Sequence, residues 1–331
     1  MRENKLIVLC SFCKKILRPC WRAFVHTKNF LQALLCCVQN PSILKEKIVI
    51  VRVDGGLGSQ MGQYLLGQAI KKQTGLRIKY DVSWFKKDGY DLNKQYRRDF
   101  TLTKVFEDLS FDEASREECK VYRCFYDYEL KDWFAYNEEV ITSNDKRYLS
   151  GYYAHPSYLQ CFDNKWYEIF KFNKNIIFEN SAIAEKIKAS KNSVAVHVRR
   201  GDFIGTPADV ATIDYYTKAL KEITAIFSTV TIFIFSNDIE WVKMNFPRME
   251  NIYFVDANDN DKGYSDLYLM SLCENFIVAN SSFSSAASQL STNTSKYIFY
   301  PFLINCDRLS GRATIATAPR PSNCKRVLYE I

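Results

Sequence analysis

Apolar and polar residues alternate along the chain in blocks whose lengths are typical of an α/β fold. The uninterrupted β-branched run Ile48 to Val53 predicts a fully buried strand, Met61 to Lys72 predicts a helix, and Leu76 to Asp81 predicts a second strand. Strand, helix and strand in this order indicate a parallel sheet with crossover helices.

A charged and aromatic segment follows, with weaker periodicity. Within it we predict a helix over Phe106 to Cys119, a strand over Arg147 to Tyr152, and a further helix after His155 and Pro156. These elements complete a first α/β lobe.

The alternation restarts at Ser193. The predicted strands are Ser193 to Val198, Val230 to Phe235, Ile252 to Asp256 and Phe276 to Ala279, and the predicted helices include Tyr215 to Phe227 and Ile239 to Asn245. We expect an extension over residues 1–46, an N-terminal lobe over 47–185 and a C-terminal lobe over 186–331. No Gly/Pro/Ser-rich linker separates the lobes, so they should pack closely, with a ligand at the carboxyl ends of their strands.

Composition and charge narrow the function classes. The net charge of +8 comes mostly from residues 1–47, where nine Lys/Arg accompany two Asp/Glu. Such an extension favours contact with an anionic membrane surface, or docking on the neighbouring lobe, over a nucleic-acid groove. Its apolar runs are shorter than the about 20 residues of a membrane span. We therefore expect a cytoplasmic protein with peripheral contact to the inner membrane face and no nucleic-acid partner.

The turn after the first strand, DGGLGSQMGQY, is rich in glycine. It lacks the lysine of a phosphate-binding loop, and Gly56, Gly58 and Gly62 are spaced one residue too far apart for the dinucleotide fingerprint. Asp81, at the end of the second strand, stands where a ribose-binding acid would be. A nicotinamide-dependent sugar-nucleotide enzyme therefore remains an alternative, and tight packing of helix on strand is another.

The segment SVAVHVRRGDF places two adjacent arginines at the carboxyl end of a buried strand. Arg199 and Arg200 would repel each other there, so they indicate an anion, and a diphosphate offers several oxygens for bidentate contacts. Asp202 could orient an arginine or act as an acid or base. A surface ion pair is the alternative, although it leaves the second arginine unexplained.

Other polar turns also follow predicted strands. Asn280 to Ser285 (NSSFSS) opens a helix whose free amides can bind phosphate or hydroxyl groups, and Asn237 in FSND could contact a nucleoside. The acidic run Asp256 to Asp266 does not fit a calcium loop, and its Asp259 and Asp261 are expected in a solvated loop. We predict no metal site, and the lone pair Cys10 and Cys13 is a weak zinc signal.

In this order along the chain, GGLGSQMGQY, GYYAHPSYL, HVRRGDF, FSNDIEWVK and DLYLMSLCENFIVANSSFS resemble the bacterial α-1,2-fucosyltransferases, the galactoside 2-fucosyltransferases of glycosyltransferase family 11. The resemblance extends from Lys47 to about Pro301. It implies a GT-B-like fold of two Rossmann-like lobes with parallel sheets and a cleft between them. GDP-β-L-fucose is the implied donor, with no cofactor and no required metal.

The resemblance also implies roles for individual residues. Arg199 and Arg200 match the arginines that hold the diphosphate, and His197 and Asp202 complete that motif. Ser59 stands where the family usually has asparagine. The remaining residues implied in donor binding lie in the C-terminal lobe or in the glycine turn that faces it: Asp266, Asn280, Ser281, Ser282 and Phe283, and Gly56, Gly58 and Gln60. Asn237 joins this set of candidates from its position after a predicted strand.

We expect an inverting displacement in which the 2-hydroxyl of a terminal β-galactoside, on an oligosaccharide such as O-antigen, attacks the anomeric carbon of fucose as GDP leaves. Asp202 is the first candidate for the general base, followed by Asp54 and His155. Two alternatives remain: the nicotinamide-dependent enzyme, and a non-catalytic carbohydrate- or membrane-binding module.

Overall fold

The structure, a computed structural model, describes residues 26–87, 89–90, 94, 96–130, 132, 134–163, 165–256, 262–307, 312–315 and 324–329. Its strands, in chain order, are β1 (Ile48–Arg52), β2 (Arg77–Asp81), β3 (Phe106–Glu107), β4 (Asp127–Glu129), β5 (Arg147–Ser150), β6 (Lys171–Phe172), β7 (Ser193–Val198), β8 (Thr231–Ser236), β9 (Ile252–Phe254), β10 (Asn275–Ile277), β11 (Ile298–Pro301), β12 (Leu303–Asp307), β13 (Arg312–Ile315) and β14 (Cys324–Val327).

The helices surround these strands. They are α1 (26–39), α2 (Ser42–Lys45), α3 (Leu57–Thr74), α4 (Ser83–Lys87), α5 (Leu102–Val105), α6 (Arg116–Phe125), α7 (Glu139–Thr142), α8 (Lys174–Glu179), α9 (Ser181–Ala189), α10 (Ile213–Ile226), α11 (Ile239–Asn245), α12 (Gly263–Ser271) and α13 (Ser282–Leu290), with 3₁₀ turns at Pro156–Phe162, Trp166–Ile169 and Gly201–Phe203. Within the described ranges, none is both long and apolar enough to cross a bilayer.

Two parallel sheets organise the chain. The N-terminal sheet has the order β2-β1-β5-β4, and the C-terminal sheet has the order β14-β11-β10-β7-β8-β9. Read from β9 inwards, the second order is the 3-2-1-4-5-6 arrangement of dinucleotide-binding folds, whose ligand site lies where the winding direction changes. That point lies between β7 and β10. The predicted α/β architecture of two Rossmann-like lobes is therefore confirmed.

We call the parts built on these two sheets the N-terminal and C-terminal lobes. Strands β1 to β5 come from residues 48–150, and β7 to β14 come from residues 193–327. The limits assigned to the extension and the two lobes from the sequence stay a prediction.

The predicted helix over Phe106 to Cys119 is wrong. Phe106 and Glu107 form the short strand β3, and the helix α6 begins only after Ser115. The Ser115 hydroxyl accepts from the Glu118 amide, and the Glu118 carboxylate accepts from the Ser115 amide, so a capping box sets the start of α6. The residues before it pair with β2, where the Ala114 amide donates to the Tyr80 carbonyl at 2.9 Å.

The two lobes meet at the first turns of α3 and α13, and their buried apolar residues form one continuous cluster that includes Val49, Leu57, Phe276 and Ala287. A Cβ at Gly58 would lie 2.5 Å from the Ser282 carbonyl carbon, so only glycine permits this approach.

Asp81, at the end of β2, is a buried carboxylate inside the N-terminal lobe. It accepts hydrogen bonds from the Arg123 guanidinium, from the Tyr148 hydroxyl at 2.8 Å and from the Ser83 amide at 2.8 Å. Burial alone raises the pKa of this carboxyl, but Arg123 and the hydrogen bonds outweigh burial and lower the pKa to about 2. Asp81 thereby ties β2 to β5 and α6.

Substituting Gly58 by alanine should force α13 away from α3 and lower the free energy of unfolding by about 1–3 kcal/mol, the usual cost of overpacking. Gly62→Ala is the matched control on the same helix: nothing lies within 4 Å of a Cβ there, and alanine should stabilise the helix by up to about 1 kcal/mol. Thermal unfolding of both variants measures the difference. Equal stability of the two variants would show that the close approach does not constrain the lobes.

Asp81→Asn should lower the free energy of unfolding near pH 7 by about 2 kcal/mol, because a carboxyl whose pKa falls from 3.8 to about 2 on folding gains about 1.4 kcal/mol per pKa unit. The folded pKa is the lower one, so this contribution is complete above about pH 4 and is lost as the pH falls towards 2. Urea unfolding followed by circular dichroism should show the difference between variant and wild type narrowing over that range.

The control for this experiment is Asp214→Asn, which removes an exposed ion pair with Lys218. Such a pair contributes at most about 1 kcal/mol. An Asp81→Asn variant as stable as Asp214→Asn would contradict the role assigned to Asp81.

Candidate functional site at the meeting of the lobes

The arginine pair lies directly after β7, every residue of which is buried. The chain turns sharply there, with Gly201 at φ +53°, and a Cβ on Gly201 would lie 2.3 Å from Asn237 Nδ2. Asn237 in turn accepts from the Arg200 backbone amide at 2.9 Å. Asn237 therefore shapes the turn that presents the arginines, and its contact with a nucleoside stays a prediction.

Arg200 is held by residues of the FSNDIEWVK segment. Its Nε donates to Asp238 Oδ2 at 3.1 Å, and its guanidinium carbon lies 3.6 Å from the centroid of the Trp241 ring. Asp238 also caps α11 by accepting from the Trp241 amide. The guanidinium is thus stacked on an aromatic face, an arrangement that lysine could not reproduce.

Arg199 is held by Asp202. One carboxylate oxygen of Asp202 accepts from Arg199 Nη2, and the other accepts from Arg98 Nη2 at 2.8 Å. Asp202 itself is buried, with 5% of its surface exposed. Arg98 belongs to the N-terminal lobe, whereas Arg199 belongs to the C-terminal lobe. Each oxygen of this carboxylate is therefore engaged by a guanidinium, one from each lobe.

Three guanidiniums and two carboxylates meet at this point, so positive charges outnumber negative charges among these five groups. Arg98 and Arg199 share Asp202, whereas Arg200 is paired with Asp238. The first turns of α3 and α13 also meet here, and helix N-termini add further positive potential. The arrangement can bind an anion with more than one negative charge, as a diphosphate has.

His197 lies beneath the arginines and is 5% exposed. Burial, assisted by the nearby charge of Arg199, lowers the pKa of this imidazole to about 3, so it is neutral at physiological pH. Its ring lies 5.5 Å from the Phe283 ring, and among the described residues Nδ1 has no hydrogen-bond partner. A neutral imidazole can offer either a donor or an acceptor to a ligand.

The predicted turn after β10 lies beside the turn after β7. Ser281 caps α13 by accepting from the Phe283 amide at 3.3 Å. Asn280 donates to the carbonyls of Ala208 and Ile304 at 2.9 and 2.8 Å, and its Oδ1 has no partner in the described part of the chain. The turn is thus anchored on one side and has an acceptor available on the other.

The N-terminal lobe meets this turn through its glycine-rich segment. Ser59 Oγ lies 3.3 Å from Ser282 Oγ, whereas a Cβ on Gly56, which caps α3, would have open space around it. Asp54 accepts from the Gln63 amide at 3.0 Å and pairs with Arg52.

Tyr152, which follows β5, completes this edge. Desolvation of its phenol, followed by the charge of Asp54, raises the pKa of that phenol, although the residue as a whole is 37% exposed. The Tyr152 hydroxyl hydrogen-bonds to Asp54 and Ser59. The turns after β1 and β5 thus join in one polar cluster opposite α13.

Gln60 does not face a cleft, contrary to the sequence expectation. It is 1% exposed, and its amide nitrogen donates to the carbonyls of Gly55 and Asp99 at 3.2 and 2.9 Å. Its oxygen accepts from the amides of Thr101 and Leu102 at 3.0 and 3.1 Å. The polar atoms of Gln60 therefore hold a loop of its own lobe.

Other residues singled out in the sequence have structural partners. His155 Nδ1 accepts from the Ser157 amide at 3.2 Å and caps a 3₁₀ turn. Asp266 lies half-buried in the first turn of α12, while Cys10, Cys13, Asp259 and Asp261 lie outside the described residues. Because Asp81 is bound inside its own lobe, it cannot serve the ribose contact on which the nicotinamide alternative depended. In the described part of the chain, no group of three potential metal ligands comes together.

Several supporting residues escaped the sequence reasoning. The Tyr216 hydroxyl donates to the His197 carbonyl at 3.0 Å, and the Tyr215 hydroxyl lies 2.7 Å from the Val278 carbonyl oxygen. Both come from α10 and fix the strand ends that carry the two turns. The motif FSNDIEWVK contained a signal for Asp238 and Trp241, but nothing in the sequence pointed to Arg98.

The chain is similar in sequence to two glycosyltransferases of Escherichia coli. The chain is 29% identical over 262 residues to an alpha-1,2-colitosyltransferase of Escherichia coli, which covers 72% of this chain and 85% of that protein. It is also 25% identical over 282 residues to the O-antigen biosynthesis glycosyltransferase WbnK of Escherichia coli. That match covers 75% of this chain and 92% of WbnK.

Solved structures show more distant similarity. Fucosyltransferase NodZ from Bradyrhizobium has 15% identity and a TM-score of 0.49, with 83% of this chain and 99% of that chain covered. FUT1 of Arabidopsis thaliana in complex with GDP has 12% identity and a TM-score of 0.48. The match covers 83% of this chain and 75% of the FUT1 chain.

The family described as Glycosyl transferase family 11 matches residues 31–317, which include the N-terminal sheet, the C-terminal sheet except its edge strand β14, and each of the turns at the meeting of the lobes. This confirms the family indicated by the sequence motifs: the chain belongs to glycosyltransferase family 11 and is a glycosyltransferase.

Proposed function

We propose that the protein transfers L-fucose from GDP-β-L-fucose to the 2-hydroxyl of a terminal β-galactoside, with inversion and without a metal ion. The observation that carries this proposal is the arginine pair at the point where the C-terminal sheet changes direction. Arg199 and Arg200 are each fixed by a carboxylate and lie where a doubly wound sheet binds its ligand.

Departure of GDP places negative charge on the β-phosphate as the bond to the anomeric carbon breaks. Preorganised guanidiniums stabilise that charge in the role a divalent ion plays elsewhere, and they need no reorganisation at the moment of reaction. The pairs with Asp202 and Asp238 keep Arg199 and Arg200 in position before the donor arrives.

The general base is better placed on the N-terminal lobe than on Asp202. Both oxygens of Asp202 accept from arginines, so an acceptor hydroxyl would have to displace one of them. Asp54 also has both oxygens engaged, one by the Gln63 amide and one by Arg52, but only one of these partners is a guanidinium. It shares the Tyr152 hydroxyl with Ser59, which reaches Ser282 of the other lobe, and we assign the base to it. Asp54→Asn should then lower kcat by about 10² to 10⁴, the usual contribution of a general base, with little change in the KM of the donor.

The relatives suggest the substrates to test. One acts as an alpha-1,2-colitosyltransferase and the other in O-antigen biosynthesis, so an O-antigen oligosaccharide ending in galactose is the proposed acceptor. Colitose differs from fucose by lacking the 3-hydroxyl. A donor panel of GDP-L-fucose and GDP-colitose, with linkage analysis of the product, therefore tests the sugar and the α-1,2 linkage together.

Arg199→Ala and Arg200→Ala should each lower kcat for transfer from GDP-fucose by about 10² to 10³, as expected when one electrostatic partner of a transition state is removed. Release of GDP in the presence of a β-galactoside acceptor measures the rate. Arg77→Ala is the control, because it removes an exposed guanidinium paired with Asp112 on the N-terminal lobe; its kcat should match that of the wild type.

The same assay in EDTA should retain full activity. Activity that disappears in EDTA and returns with Mn²⁺ would contradict the arginine mechanism. A β-linked product would contradict inversion, and equal rates for the Arg199, Arg200 and Arg77 variants would contradict the assignment of the site.

We also propose that α1 lies on an anionic membrane surface. Ala33 and Cys36 of this helix are buried against the N-terminal lobe, whereas Leu31, Leu35 and Val38, which share the opposite side, are 59%, 56% and 77% exposed. Apolar side chains beside a strongly basic extension match the chemistry of interfacial helices, and each Lys or Arg near such a surface contributes about 1 kcal/mol.

Wild-type protein should sediment with vesicles containing phosphatidylglycerol and much less with pure phosphatidylcholine vesicles. The triple variant Leu31→Ser, Leu35→Ser, Val38→Ser should lose about tenfold in binding, whereas Phe178→Ser, which changes a 79% exposed side chain elsewhere, should bind as wild type. Loss of a dimer in light scattering, without loss of vesicle binding, would instead assign this face to self-association.

A further inference from the structure

Arg98 connects the N-terminal lobe to the arginine pair. It donates from Nη2 to Asp202 Oδ2 at 2.8 Å, across 104 positions of sequence, while the other oxygen of Asp202 accepts from Arg199. The Asp202 side chain is 7% exposed, so water does little to weaken these bonds. One carboxylate is thus shared by a guanidinium from each lobe.

The position of Arg98 is fixed from within the N-terminal lobe. Its backbone amide donates to the Gly89 carbonyl at 2.5 Å. The next residues are held by Gln60, whose amide nitrogen donates to the Asp99 carbonyl at 2.9 Å and whose oxygen accepts from the Thr101 amide at 3.0 Å. Gln60 belongs to the first turn of α3, so the same turn that meets α13 also places Arg98.

Tyr96 brings the same segment against the turn that carries the arginines. Its Cε2 lies 3.6 Å from the position that a Cβ on Gly201 would take, and the Arg98 guanidinium carbon lies 6.0 Å from its ring centroid. The segment 96–98 therefore lies beside the turn at Gly201 and contacts the side chain of Asp202.

We propose that Arg98 is a positioning residue for the donor diphosphate, acting through Asp202. By holding one oxygen of Asp202 it directs the other oxygen towards Arg199 and neutralises part of the carboxylate charge. Without Arg98, the buried carboxylate would lose one of its two guanidinium partners and would repel the incoming anion more strongly. The inference rests on the proposed function, because it assumes that the arginine pair binds the diphosphate of a GDP-sugar donor. It gives the N-terminal lobe a part in binding that diphosphate.

Arg98→Ala should weaken GDP binding about tenfold and leave GMP binding within about twofold, because GMP lacks the second phosphate and its charge. The GDP affinity of Arg98→Lys, which keeps the charge but not the planar guanidinium, should fall between those of Arg98→Ala and the wild type. Titration calorimetry gives both affinities, and steady-state rates should show a raised KM for the donor with an unchanged KM for the acceptor. A loss of folding in the N-terminal lobe would change both KM values.

Arg97→Ala is the matched control, since the adjacent Arg97 is exposed and its Nη2 lies 3.5 Å from the Phe85 carbonyl oxygen. Its GDP affinity should equal that of the wild type. The double variant Arg98→Ala, Asp202→Asn should bind GDP within about twofold of Asp202→Asn alone, because residues that act through one another are not additive.

Additive losses in the double variant would overturn the inference, since Arg98 would then act on the nucleotide without Asp202. Equal GDP affinity of Arg98→Ala and wild type would overturn it as well, as would equal losses for GDP and GMP. Failure of the wild type to bind GDP has a different meaning: the proposed function itself would fall, and the inference with it.

Discussion

The close approach of two helices at Gly58 is the constraint on which the site depends. The backbone of Ser282 and Phe283 occupies the space that any side chain at Gly58 would need, so the distance between the lobes at this point is set by atoms that cannot move aside. The C-terminal lobe contributes the turns at the switch point of its sheet, and the N-terminal lobe contributes the turns after β1 and β5. Polar residues that are far apart in sequence therefore meet at one place, because the absence of a side chain at Gly58 allows the two helices to approach each other.

Charge at this meeting point is offset in part by the protein's own carboxylates. Adjacent arginines repel, and a buried guanidinium without a partner is costly. The carboxylates of Asp202 and Asp238 offset this repulsion, and Trp241 holds the plane of Arg200. Because the positive charges still outnumber the carboxylates, an anion gains attraction without having to organise the side chains itself. The same ion pairs thus hold the arginine side chains in place and leave them able to attract an anion.

The sequence was informative where chemistry and backbone pattern coincide. The strand β7 and the helix α11 have the predicted limits, and Arg199 and Arg200 lie where their strand suggested. Gln60 and Arg98 were beyond such reasoning, because their partners are loop carbonyls and amides of residues 99–102 and a carboxylate 104 positions away. The helix expected at Phe106 failed because the capping box at Ser115 and pairing with β2 outweighed helical propensity.

The contact at Gly58 has a consequence for exchanging parts between relatives. A chimera that joins one N-terminal lobe to another C-terminal lobe inherits α3 from one parent and α13 from the other, so the pair of surfaces at this contact has never been selected together. Ser59 and Ser282, whose hydroxyls are 3.3 Å apart in this chain, are two residues that such a chimera would take from different parents. Recombination between these enzymes should therefore succeed most often when the first turns of both helices come from the same parent, wherever the crossover itself is placed.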